Sequence, residues 1–164
     1  MLEDDIIFST MKEYELNWFL NIRNRVRHFL HNSDVFTLEE CRKWFEETEN
    51  LYFVVHIKSG DSYQRCGYFR VRLLDTLGMA EIGMDLDPAF QGRNIAYSAY
   101  RKFGPFLRDN YELFGFTLRV KSDNTRALRL YKRLNFELLG EFEYGDISEF
   151  LMFSSARRLE NLPT

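Results

Sequence analysis

Between residues 79 and 103 the apolar residues change their repeat with no linker between the two patterns. From Met79 to Leu86, Ala80, Ile82, Met84 and Leu86 alternate with Glu81, Gly83, Asp85 and Asp87, the period-two mark of a strand. Just beyond Asp87-Pro88, Ile95, Ala96, Ala99, Tyr100 and Phe103 recur at helical spacing. A strand that passes through a tight turn into an amphipathic helix must lay that helix back on the sheet. The chain is thereby confined to layered α+β or α/β folds.

The rest of the chain extends the pattern. From Tyr14 to Leu30, Leu16, Phe19, Leu20, Val26, Phe29 and Leu30 predict a helix, which Asn32-Ser33-Asp34 breaks. Thr37 caps a second helix, with Glu40 completing a capping box and Trp44-Phe45 on its apolar side. Leu51–Ile57 and Arg65–Leu74 read as strands, and Asp75-Thr76-Leu77-Gly78 as a turn before the strand at Met79. A long helix starts near Gln91, and Gly104-Pro105 is expected to kink or interrupt it. Phe114–Val120 is a strand, Asn124–Leu134 a helix, and Phe136–Glu143 with Asp146–Phe153 a closing hairpin around Tyr144-Gly145. The expected order is α-α-β-β-β-α-β-α-β-β, and a short strand ahead of the first helix is compatible with it. One domain over residues 1–164 is expected, with a frayed tail after about Arg157.

Composition excludes several classes. A mean hydropathy of −0.38 and the lack of any apolar run near 18 residues argue against a membrane span. The acidic start, Met1-Leu2-Glu3-Asp4-Asp5, does not open a secretory signal, which points to the cytoplasm. Cys41 and Cys66 fit no zinc or redox spacing, and His28 and His31 lack a third ligand, so no metal is expected. Sixteen phenylalanines suit a large core or the apolar interface of a homodimer equally well. The net charge of −3 is unevenly spread. Ala89 to Asn135 holds ten basic and three acidic residues, or +7, and the remainder carries −10. The basic segment is expected to meet an anion, though not nucleic acid. The acidic remainder is expected to hold the side of the site that draws in an amine.

The densest chemical signal is Asp87-Pro88-Ala89-Phe90-Gln91-Gly92-Arg93-Asn94-Ile95-Ala96. A helix N-terminus offers unpaired N–H groups and partial positive charge, Gly92 permits close backbone approach, and Arg93 adds a formal charge. This suits a pyrophosphate, although the spacing is neither a P-loop nor a dinucleotide fingerprint.

Gln91-Gly92-Arg93-Asn94-Ile95-Ala96 resembles the acyl-CoA signature of the GNAT acetyltransferases, with Asn94 where the family usually has glycine. Asparagine is the residue that best tolerates glycine-like dihedrals. A second stretch, Asn124 through Ala127 and Tyr131 to Phe136, resembles the family's other signature, with Asn135 in place of a helix-terminating glycine. The resemblance covers Leu51 to Phe153. It implies a splayed, mixed, mostly antiparallel sheet with helices on both faces, and acetyl-CoA as co-substrate. It also implies that Met84-Asp85-Leu86 pairs with the pantetheine arm and that Gln91, Gly92, Arg93, Asn94, Ile95, Ala96 and Tyr97 cradle the pyrophosphate. Asn124 would bond the cofactor further along, and Tyr131 would protonate the leaving thiolate.

An amine must lose a proton to attack the thioester. Some relatives use a glutamate five residues before the position of Asn124; here that residue is Arg119. Glu81 is the candidate base, with a chain of waters as the alternative. The run from Leu20 to Arg27 resembles the branch holding ribosomal-protein and amino-sugar-nucleotide N-acetyltransferases. Arg23, Asn24, Phe29, Trp44 and Tyr68 are then the candidate acceptor-binding residues; a core role for the aromatics and solvation of the arginines is the competing reading. The resemblance implies transfer to a primary amine of a small molecule, an amino-sugar nucleotide first. A protein N-terminus is second, and a non-catalytic CoA-binding module third.

Overall fold

The computed structural model describes residues 5–74, 78–160 and 162. Seven strands form one sheet: β1 (Ile6–Thr10), β2 (Leu51–Ser59), β3 (Ser62–Leu74), β4 (Met79–Leu86), β5 (Gly115–Lys121), β6 (Glu137–Tyr144) and β7 (Ile147–Ser155). Their spatial order is β1-β2-β3-β4-β5-β7-β6, and every neighbouring pair is antiparallel except β4 with β5. Among the described residues there are five α-helices: α1 (Leu16–Val26), α2 (Leu38–Glu47), α3 (Ile95–Tyr111), α4 (Thr125–Arg133) and α5 (Ala156–Glu160). The expected order therefore holds, with the short leading strand present as β1. The expected turn at Asp75-Thr76-Leu77 lies outside the described residues.

Strand alternation divides the core in two. Phe53, Val55 and Ile57 of β2 face α3, α4 and α5, and join Phe69, Tyr100, Phe103, Phe116 and Leu134 in the larger cluster. Tyr52 and Val54 point the other way, into a smaller cluster with Leu16, Phe19, Ile22 and Cys41 of α1 and α2. Most of the phenylalanines that left core and interface open serve the core. Phe69 stacks on Phe103 at 4.0 Å, and Phe8 and Phe53 meet Phe103 edge-on at 4.9 and 5.3 Å. The outer strand β6 still exposes Leu138, Leu139, Phe142 and Tyr144.

Local chemistry sets the element ends. Thr37 Oγ1 accepts from the Glu40 amide and the Glu40 carboxylate accepts from the Thr37 amide, a closed capping box. Two expectations are corrected. The helix α3 runs unbroken through Pro105, because one missing hydrogen bond in a 17-residue helix is outweighed by burial of Tyr100, Phe103 and Leu107 on either side of it. The described residues of the tail are packed: α5 seats a fully buried Leu159 against Gly104, where an added Cβ would lie only 2.9 Å from Leu159 Cδ1, and Leu162 is buried beyond it.

One feature of the sheet creates the site. β4 pairs with β3 along its whole length and β5 with β7 along its own, but β4 and β5 meet only at residues 79–81 and 115–117. Past Glu81 they diverge and leave one edge of β4 without a neighbouring strand.

Candidate active site

The gap between β4 and β5 opens into a cleft of about 1010 Å³. That is the upper end of the roughly 300–1,000 Å³ of small-molecule sites, enough for a large ligand and a second one beside it.

One wall is the turn from β4 into α3. Asp87 caps a short 3-10 turn at Pro88–Phe90 by accepting from the Ala89 amide at 2.9 Å. Gly92 (φ +79°) and Asn94 (φ +61°) are both left-handed, so α3 starts at Ile95 and not at Gln91. Asn94 takes the dihedrals expected of the family's glycine. An added Cβ at Gly92 would meet nothing within 4 Å, so the turn is open to a ligand. Alternating left- and right-handed residues leading into a helix make an anion-binding concavity. Arg126 holds Gln91 Oε1 at 2.7 Å, Arg133 holds Asn94 Oδ1 at 3.3 Å, and Arg133 lies 4.3 Å over the Tyr97 ring. These residues fit an anionic cofactor on chemistry and shape alike. Asn124 Oδ1 caps α4 through the Ala127 amide at 3.1 Å, while Met84 and Leu86 line the cleft along the unpaired edge of β4.

Tyr131 of α4 is buried at the base of the cleft, its ring edge-on to Tyr100 at 5.9 Å. Burial raises its phenol above the ordinary value; the Tyr100 hydroxyl pulls the other way, and the Asp85 charge adds to the rise. Tyr100, buried without a well-formed hydrogen bond of its own, is held further up still, again chiefly by burial.

The opposite wall is the sheet face turned toward α1. Glu81 sits where β4 and β5 part, with both oxygens engaged. Arg72 Nη2 donates to Oε2 at 2.9 Å and Arg70 Nη2 to Oε1 at 3.3 Å, while Arg119 Nε stands 3.8 Å from Oε2. Two residues on from Gly83, Asp85 accepts from the Tyr68 hydroxyl at 2.5 Å. Burial lifts the Asp85 carboxyl above its usual range, with Tyr68, Arg70 and Arg23 drawing it partly back. Further round, buried Glu149 receives His31 Nδ1 at 3.1 Å on Oε1, and its Oε2 has no hydrogen-bond partner.

Several sequence expectations change here. Arg23 and Asn24 fasten the 32–36 loop, and Arg23 also lines the cleft. Arg23 is buried, donates to the carbonyls of Asp34 and of Asn32 (2.7 Å), and lies 4.0 Å over the Phe36 ring. Asn24 bonds both backbone groups of Phe36, at 2.9 and 3.1 Å. Phe29, Trp44 and Tyr68 do line the cleft, with Trp44 stacked on Phe19 at 6.1 Å. The acidic remainder reaches the cleft only in part. Glu13, Glu39, Glu46, Glu47, Glu49, Glu137, Glu141 and Glu143 are all exposed and line no part of the cleft. Of the eight Arg and Lys side chains that line it, five come from the basic segment, while the remainder supplies Arg23, Arg70 and Arg72 beside Glu40, Glu81, Asp85 and Glu149. The side chains of Asp85, Arg70 and Arg72 escaped the sequence reading. The alternation that sets Glu81, Gly83 and Asp85 on one face of β4 was the available signal. Among the described residues no group of three or more His, Cys, Asp or Glu is placed to hold a metal, and no helix is long and apolar enough to cross a membrane.

Among curated proteins none matches the chain by sequence. Solved structures do resemble it. The spermidine N-acetyltransferase of Vibrio cholerae in complex with CoA and spermine superposes with a TM-score of 0.82 at 16% identity, over 96% of this chain and 99% of that one. A domain from Methanocaldococcus jannaschii gives 0.81 at 17%, over 92% and 97%. A dodecameric form of the Vibrio cholerae enzyme gives 0.78 at 16%, over 96% and 98%. Identities this low carry the fold and leave the acceptor open. The sequence also matches the acetyltransferase (GNAT) domain over residues 5–137. With the divergent strands, the open anion turn and the buried tyrosine, that match settles the assignment: the chain belongs to the GNAT acetyltransferase family, acyltransferases whose donor is acetyl-CoA.

Proposed function

We propose that this enzyme transfers the acetyl group directly from acetyl-CoA to a primary amine on an anionic small molecule, an amino-sugar nucleotide being the preferred acceptor. The observation that carries this reading is the arginine cluster. Arg70, Arg72 and Arg119 converge on the single carboxylate of Glu81 and stay about half exposed toward the cleft, leaving that cluster with an excess of two positive charges where β4 and β5 part. Like charges about 8 Å apart repel by roughly 2 kcal/mol at an effective dielectric near 20. A polyamine would therefore be disfavoured there, and a phosphate-bearing amine favoured. Phe29 and Trp44 at the rim supply faces on which a base or sugar would stack.

In this reading the turn from Gln91 to Tyr97 holds the pyrophosphate, the free edge of Met84-Asp85-Leu86 pairs with the pantetheine arm, and Asn124 lies beside it. Tyr131 is the acid: burial keeps its phenol protonated, so the hydroxyl still holds a proton to give when the thiolate departs. Glu81, whose oxygens are occupied by guanidinium groups, organises the arginines and leaves the base to another group. The buried free thiols of Cys41 and Cys66, on opposite faces of the sheet, suit a reducing cytoplasm. In a homodimer, the exposed apolar side chains of β6 are the surface to cover.

Thiol release from acetyl-CoA tests the acceptor class with UDP-glucosamine, spermidine and a short peptide with a free N-terminus. Turnover is expected to be highest with UDP-glucosamine and to fall in Arg119→Gln through KM. Preference for spermidine overturns the anionic-acceptor reading. Preference for the peptide supports N-terminal acetylation instead, and CoA binding without any release supports a non-catalytic module.

A further inference from the structure

We propose that Asp85 is the proton acceptor for the incoming amine and that Tyr68 is the positioning residue that holds its carboxylate in the cleft. This rests on the reading of the protein as an amine acetyltransferase but not on which amine it uses.

Three geometric observations carry it. Asp85 lies on β4 past the last residue paired with β5, where the cleft is open, and on the same face as Glu81. Gly83 separates the two acids, and an added Cβ there would approach only Arg70 Nη2, at 3.9 Å, so the wall beside Asp85 is clear. Tyr68 stands directly across from Asp85 in the β3–β4 register and donates to Oδ2 at 2.5 Å. Among the described residues this is the only hydrogen bond to the carboxylate, which leaves Oδ1 for a ligand.

The other acids of the cleft are worse placed: Glu40 is exposed on α2, its Oε2 engaged by the Thr37 amide and hydroxyl. Glu81 is held by arginines on both oxygens. Glu149 spends Oε1 on His31, and its Oε2 is shut away from solvent. Groups from every element around Asp85 bear on its titration: Tyr68 and Arg70 from β3, Arg23 from α1, and, through the gap, Tyr100 of α3 and Tyr131 of α4. Burial outweighs the donors and cations and holds the carboxyl above its usual range, closer to neutral pH, where a base works best.

The step balances within these residues. The amine nitrogen forms a C–N bond to the thioester carbonyl carbon while the C–S bond breaks. The N–H proton passes to Asp85 Oδ1, and the Tyr131 hydroxyl proton passes to sulfur. Asp85 then releases its proton to solvent and Tyr131 takes one back, leaving an amide and a free thiol.

Two measurements test it. Carbon-13 NMR of CoA-loaded protein labelled at the aspartate carboxyls, with Asp85→Asn to assign the signal, reads the titration without an acceptor. Asp85 is expected to titrate above the ordinary value of about 3.9, and Tyr68→Phe, which removes a donor to the charged form, to move it higher. An ordinary midpoint, or one indifferent to Tyr68→Phe, overturns the proposal. With the best amine of the panel, Asp85→Asn should lower kcat about 10²–10⁴-fold at pH 7 while CoA affinity holds, and Tyr68→Phe should shift the acidic limb of the profile upward. Activity of Asp85→Asn within threefold of the parent protein also overturns it. If no amine is acetylated, the acceptor reading fails, and the NMR titration still decides for or against Asp85.

Discussion

Replacing Arg23 with methionine separates the two readings of this residue, loop fastening against acceptor contact. Methionine keeps much of the aliphatic stem and removes only the guanidinium. That group donates to the Asp34 and Asn32 carbonyls and to Asn24 Oδ1, and covers the Phe36 ring. A hydrogen bond to a charged group contributes about 1.5–3 kcal/mol, so the two carbonyl bonds alone amount to roughly 3–6 kcal/mol. Burial of the charge offsets part of this, as the lowered proton affinity of Arg23 indicates. A net loss of about 3 kcal/mol is expected. In a domain of this length each kcal/mol moves Tm by about 2–4 °C, so Arg23→Met should melt roughly 6–12 °C lower. Urea unfolding with unchanged m, followed alongside acceptor KM, is the assay. Asn24→Ala should be non-additive with it, because both side chains hold the same loop. A Tm within 2 °C of the parent together with a tenfold rise in KM would refute the fastening argument and return Arg23 to the acceptor.

Other perturbations follow from the same geometry. Tyr131→Phe should cut turnover about 10²–10⁴-fold with CoA affinity unchanged in calorimetry; unaltered turnover removes it as the acid. Asp85→Asn should stabilise the protein at neutral pH, with the gain vanishing in acid. The folded state keeps a proton on Asp85 that the unfolded chain has lost between the ordinary and the raised value, so parent stability declines as pH rises through that window. Thermal melts from pH 4 to 8 read the convergence, and a gap independent of pH contradicts it. Thr37→Ala should cost about 1 kcal/mol by chemical denaturation through loss of the capping box. Leu159→Ala should cost about 2–5 kcal/mol, whereas a frayed terminus would show no change.

Legibility in the sequence followed the range of the forces involved. Strand alternation, the Thr37–Glu40 box and the left-handed Asn94 and Asn135 are set by neighbours along the chain, and their residue types announced them. Pro105 misled because a local penalty lost to burial contributed by residues far away in sequence. The loop contacts of Arg23 and Asn24 were hidden for the converse reason: these polar side chains bond backbone groups of the 32–36 loop, which no spacing rule reveals. The acids of the cleft show the limit best. Glu81 and Asp85 are two carboxylates on one face of one strand, four residues apart, and sequence alone favours the first. Register separates them: Arg72 falls opposite Glu81 and Tyr68 opposite Asp85, so the same strand pairing puts guanidinium donors on one acid and a neutral hydroxyl donor on the other, which Arg70 and Arg23 reach only through their charge. In the proposed mechanism, which carboxylate takes the proton is thus decided by what β3 places across from it, and that pairing is visible only in the assembled sheet.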